Sequence, residues 1–78
     1  MSITFEETKM PHTIYSQWTM LVEYRWDKYN GYETFVCCDY GEKVYKTLYH
    51  NTYATKEGAK RAYQRQVRLL KKGESVYA

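Results

Sequence analysis

Apolar and polar residues alternate through the middle of the chain and then switch to a helical period near its end. Trp18, Met20, Val22, Tyr24 and Trp26 alternate with Thr19, Leu21, Glu23 and Arg25 in a stretch that begins near Ile14. A period of two is that of a half-buried strand. Asp27-Lys28-Tyr29-Asn30-Gly31 supplies turn residues, and Asn-Gly readily adopts the positive backbone angles a hairpin needs. Tyr32 to Tyr40 is rich in aromatic and β-branched residues and predicts a second strand. Tyr40-Gly41-Glu42 offers a tight turn before a third, Lys43 to Tyr49. Such short connections allow only an antiparallel meander. Pairing Trp26 with Tyr32 sets Val22 opposite Val36 and Met20 opposite Cys38. One face then carries Trp18, Met20, Val22, Tyr24, Val36 and Cys38, and the other Leu21, Phe35, Cys37 and Leu48. A slip of one residue would exchange the faces of the second strand.

His50-Asn51-Thr52 reads as the turn into a helix that runs from 56 to 72. Thr55 is its expected N-cap, Glu57 complements the dipole in the first turn, and Gly73 supplies a stop. Ala59, Ala62, Tyr63, Gln66, Val67 and Leu70 recur along one stripe, the mark of an amphipathic helix lying on a sheet. Residues 1–13 lack periodicity and contain Pro11, so they read as an N-terminal arm or edge segment. Residues 14–73 form the single domain and 74–78 a tail. The expected fold class is therefore α+β, a three-stranded antiparallel β-meander followed by one C-terminal amphipathic helix (β-β-β-α). One helix covers one sheet face, and the other face remains as a contact surface.

Composition narrows the function classes. With 78 residues, 44% of them hydrophobic, the chain is one small domain and has no room for a large enzyme core. No apolar run reaches the length of a membrane span and the N-terminus lacks signal-peptide character, so the expected location is cytoplasmic. Charge is unevenly spread. Lys56, Lys60, Arg61, Arg65, Arg68, Lys71 and Lys72 stand against Glu57 alone, a segment charge of +6 that leaves −3 for the rest of a chain totalling +3. One basic and one mildly acidic surface follow.

Chemistry for catalysis is not suggested by any spacing, so no catalytic residue, metal or cofactor is expected. Cys37 and Cys38 are strand neighbours that point to opposite faces, and His12 and His50 are far apart in the chain. His50 and Cys37 are the places to look should turnover be found. Ten tyrosines are the chain's compositional oddity. Tyr24, Tyr45, Tyr49 and Tyr63 can fill a core, but a domain this small cannot hide all ten. Trp26, Tyr29 and Tyr32 flank the first hairpin loop and are the candidate protein-contact residues. The helix residues Lys60, Arg61, Arg65 and Arg68 are candidates for phosphate contact.

The segment Tyr53-Ala54-Thr55-Lys56-Glu57-Gly58-Ala59-Lys60-Arg61-Ala62, placed after a meander, resembles the end of the arm-type DNA-binding domain of tyrosine integrases, where a threonine-lysine pair caps the closing helix. That family presents its sheet to the major groove, which implies Arg25, Lys43 and Lys46 as contacts. Glu23, Glu33 and Asp39 depart from the pattern, and no catalytic domain follows. In size and layout the chain also resembles small phage-encoded proteins that disable host defence or transcription, anti-CRISPR proteins among them. This second resemblance implies a stoichiometric inhibitor of a host protein or ribonucleoprotein complex, a monomer or weak dimer that occludes a surface. It ranks first because the chain stops just after the helix. A DNA-binding protein of the integrase arm type is the alternative.

Overall fold

The computed structural model describes residues 2–12, 15, 17–39 and 45–72. Four strands, β1 (Ser2–Pro11), β2 (Thr19–Asp27), β3 (Gly31–Asp39) and β4 (Tyr45–Tyr53), precede one helix, α1 (Lys56–Lys71). The strands form one antiparallel sheet in the order β1-β2-β3-β4. The α+β class and the closing helix are as expected, but the sheet has four strands where the sequence pattern predicts three.

The additional strand is made of residues read above as an arm or edge segment, and it is an edge strand of the sheet. β1 pairs with β2 along its whole length, from Ser2 opposite Asp27 to Pro11 opposite Thr19. Two features hide it in the sequence. A bulge between Thr4 and Glu6 makes Phe5 an extra residue, which breaks the alternation and sends the Phe5 ring against Tyr24 and Tyr32. Beyond the bulge, the positions on the helix side of the sheet include polar Glu6 and Thr8. Their partners are the tips of core tyrosines: Tyr24 Oη donates to Glu6 Oε2 at 2.8 Å, and the Thr8 and Tyr63 hydroxyls share a hydrogen bond. Pro11 ends this edge strand, where its missing N–H costs no ladder bond. The link to β2 is knit by His12 N–H donating to the Trp18 carbonyl at 3.0 Å, with Tyr15 packed on the Trp18 ring.

β2 and β3 pair in the expected register, with Trp26 opposite Tyr32, Val22 opposite Val36 and Met20 opposite Cys38. Asp27 Oδ1 accepts the backbone N–H groups of Tyr29 and Asn30, and the positive φ of 77° falls on Gly31, closing a three-residue loop. Residues 14 and 40–44 lie outside the described ones, and with them the expected start at Ile14 and the turn Tyr40-Gly41-Glu42. β4 runs four residues further than expected, so His50, Asn51 and Thr52 belong to the strand rather than to a turn. A second bulge opposite Val36 and Cys37 makes Leu48 the extra residue of β4. Leu48 therefore packs on the core, and not on the open face where strict alternation would set it.

The helix lies across β2 and β3 and reaches β4. Met20, Val22, Tyr24, Val36, Cys38, Ala59, Tyr63 and Leu70 are buried between the two layers. Each such valine contributes roughly 1.5–3 kcal/mol relative to exposure. Small Ala59 allows close approach, and buried Thr34 donates to its carbonyl at 2.8 Å. Thr55 caps the helix as expected, its hydroxyl accepting from Gly58 N–H at 3.1 Å. Gly73 and the tail 74–78 lie outside the described residues.

Candidate functional site

Because the helix covers one side of the sheet, its cations and the open sheet face point to opposite sides of the molecule. On the open face Leu21, Glu23 and Arg25 of β2 lie beside Glu33, Phe35 and Cys37 of β3. Phe35 is flanked by the neighbouring strands: the His50 ring stacks on it with 4.3 Å between centroids and a 5° tilt, and the Arg25 guanidinium lies 4.3 Å from its centroid. Both flanking groups also hold Glu33. Arg25 Nε lies 3.1 Å from Glu33 Oε2 and His50 Nε2 lies 2.9 Å from Oε1, and the Glu33 side chain is fully buried beneath them. The open face is thus a knitted polar layer around one ring, with Glu7 and Glu23 paired across β1 and β2. Burial, opposed by Arg25 and reinforced by Glu7 and Glu33, raises the Glu23 carboxyl above its ordinary range.

This arrangement separates the residues implied by the integrase resemblance. Arg25 is engaged by Glu33 and Phe35, Lys46 pairs with Cys38 and so shares the helix side of the sheet, and Lys43 lies outside the described residues. The cysteines face opposite sides as expected. Cys38 is buried in the core, and burial pushes the Cys37 thiol up despite the Thr47 hydroxyl beside it, which disfavours a reactive thiolate. Among the described residues no group of three His, Cys, Asp or Glu side chains could hold a metal ion, and no helix is long and apolar enough to cross a membrane.

The three aromatic candidates divide. Tyr29, at the hairpin tip, is 84% exposed. Trp26 is half-buried and lies outside the packed core, next to exposed Ile3 of β1. Tyr32, by contrast, packs on the core and stacks with Phe5, so it is not a free ring.

On the helix side, Lys60, Arg61, Arg65 and Arg68 are all exposed. The ion pairs among the described residues, both to Glu33, lie on the other side of the sheet, so none neutralises these helix cations. Arg61 and Arg65, one helical turn apart, line a groove of about 350 Å³ between α1 and β4. Its other walls are Tyr49, Tyr53, Gly58, Ala62 and Gln66. The Tyr49 and Tyr53 hydroxyls are hydrogen-bonded at 2.8 Å. Burial and that bond push the Tyr53 hydroxyl up to about 12, against the opposing pull of the Asn51 side chain and then Arg65, so it stays protonated. A Cβ at Gly58 would lie 3.3 Å from the Thr55 hydroxyl oxygen and 3.4 Å from the Tyr53 Cβ, so a larger residue would crowd the cap. Arg68 lines a second concavity with Tyr63 and Val67 on the helix surface.

Gln66 is the residue whose importance sequence reasoning missed. It occupies a position of the apolar stripe and is 6% exposed, and its Oε1 has no hydrogen-bond partner among the described residues. Leaving such an acceptor unmade costs about 1–3 kcal/mol. The signal was present: a carboxamide among Tyr63, Val67 and Leu70 breaks an otherwise apolar pattern. No family model, no curated protein and no solved structure matches the chain.

Proposed function

We propose that the chain is a non-catalytic binding protein that grips a nucleic acid with its helix side, through Lys60, Arg61, Arg65 and Arg68. The observation that carries this reading is the segregation of charge: α1 cations with no ion pair among the described residues, and Glu7, Glu23 and Glu33 on the open sheet face. Unneutralised lysines and arginines on one element displace counterions from a polyanion, and such binding weakens as salt rises. The sheet face is less suited to enter a groove, because Glu7 and Glu23 would meet phosphates there.

A titration of duplex and single-stranded DNA and RNA at several salt concentrations tests the proposal. Affinity is expected to fall linearly with salt on logarithmic axes, and the combined substitution K60A/R61A/R65A/R68A is expected to flatten that slope. Absence of binding at low salt, or an unchanged slope in the variant, would overturn it.

A second reading is favoured by the hairpin end, where Ile3 and Tyr29 are exposed and Trp26 stands outside the core. There the chain would act as a stoichiometric inhibitor docking on a protein of a nucleic-acid-handling complex. In that case Trp26→Ala costs about 2 kcal/mol or more of partner affinity, and the helix charges matter little.

A further inference from the structure

Hollows flank α1 on both sides, and together they leave its outward face standing as a ridge. Toward β4 lies the one of about 350 Å³, which carries Arg61 and Arg65. The other, of about 360 Å³, carries Arg68, Lys71 and Lys72. Its wall Tyr63 packs on Tyr24 of β2 and shares a hydrogen bond with Thr8 of β1, so this second hollow opens toward the opposite edge of the sheet. Arg61 and Arg68, about two turns apart, are exposed along the ridge, on the side of the helix away from buried Ala59, Tyr63, Gln66 and Leu70. Glu57, the acid of the first turn, lines neither hollow.

We propose that α1 lies in the major groove of a B-form DNA duplex, with one phosphate backbone beside each hollow. The proposal rests on the helix side binding nucleic acid, and it names the kind of nucleic acid and the groove. An α-helix with its side chains is about 10–12 Å across, and the major groove is about 12 Å wide and about 8.5 Å deep. A helix sinks into it only where the protein surface beside it falls away, because the two backbones rise on its flanks. Both flanks fall away here, and both carry cations for phosphates to meet. A single strand has one backbone and leaves one hollow without a partner. The major groove of an RNA duplex is too narrow and deep for the same fit. An acidic protein would have to carry its carboxylates in two rows, one on each side of a helix-wide trough, which a duplex does by its covalent structure.

The test is a fluorescence anisotropy titration of a short DNA duplex, the RNA duplex of the same sequence and each separated DNA strand. The DNA duplex is expected to bind about tenfold more tightly than the others, because neither of them can fill both hollows. In the salt dependence of duplex binding, R61A/R65A and R68A/K71A are each expected to lower the slope by about 1.8, two phosphate contacts apiece. Methylation by dimethyl sulfate of the saturated duplex reads the groove with the unaltered protein. Guanine N7, in the major groove, is expected to be protected, and adenine N3, in the minor groove, to react as in free DNA. Because the footprint needs no variant, it decides even where a substitution unfolds the helix. An RNA duplex or single strand that binds as tightly as the DNA duplex, protection of adenine N3 with guanine N7 left reactive, or a slope that either pair of substitutions leaves unchanged would each overturn the groove placement. In any of these cases, salt-dependent binding that K60A/R61A/R65A/R68A flattens leaves the parent reading standing. Absence of binding to all of these nucleic acids at low salt overturns both.

Discussion

Glu23 is held on the open face at a cost that its pH dependence exposes. Its folded-state carboxyl is raised above the ordinary 4.5 chiefly by burial, with Glu7 and Glu33 adding to the effect against Arg25. A raised carboxyl favours the fold when protonated, so that stabilisation is complete below the unfolded value and is lost as pH climbs through the folded one. At neutral pH the residue is therefore a penalty. Glu23→Gln is expected to raise the Tm at pH 7, with the advantage fading as pH falls through the raised folded value and gone below the ordinary 4.5. Thermal melts of both proteins from pH 3 to 8 check this, and a gain that persists at pH 3 would contradict the cause given. Glu33 differs because Arg25 and His50 each give its buried oxygens a partner.

At the scale of elements, the two bulges decide which parts of the fold the sequence discloses. β2 and β3 are legible because Trp18 to Trp26 alternates strictly and Asp27 to Gly31 carries its own turn chemistry. β1 is not, because Phe5 shifts the phase and Glu6 and Thr8 are polar on the helix side. The end of β4 is equally hidden, since His50-Asn51-Thr52 looks like a turn while serving alternate faces of a strand. The candidate site suffers from the same gap. Arg61 and Arg65 are plain from their charge, but Tyr53 lies beyond the expected end of the third strand, so the groove's second wall was out of sight. A bulge residue is extra to its ladder, which leads to an unusual expectation. Deleting Phe5 leaves Thr4 opposite Arg25 and Glu6 opposite Tyr24, every other side chain keeping its face. The deletion is expected to cost no more stability than Phe5→Ala, whereas deleting Glu7 reverses the faces of one end of the strand and costs far more. Urea unfolding of the three variants separates these outcomes, and a deletion of Phe5 as damaging as that of Glu7 would refute the assignment of the extra residue.

At the scale of the whole molecule, the sheet is a wall between two charges. A cationic helix stands on one side and a carboxylate-bearing strand face on the other, so the two surfaces of one copy complement those of the next. Light scattering at about 10 mM salt is expected to show mass rising with protein concentration, and about 150 mM salt is expected to return the monomer as the screening length shrinks to about 8 Å. A mass independent of salt would refute such stacking. Contact of this kind joins unlike surfaces, so each added copy leaves a fresh surface of each kind exposed and the array has no natural end. Nucleic acid on the helix side would terminate it. A polyanion that binds this protein should then also act as its chain stopper, clearing turbid low-salt solutions at a stoichiometry set by the number of helices it covers.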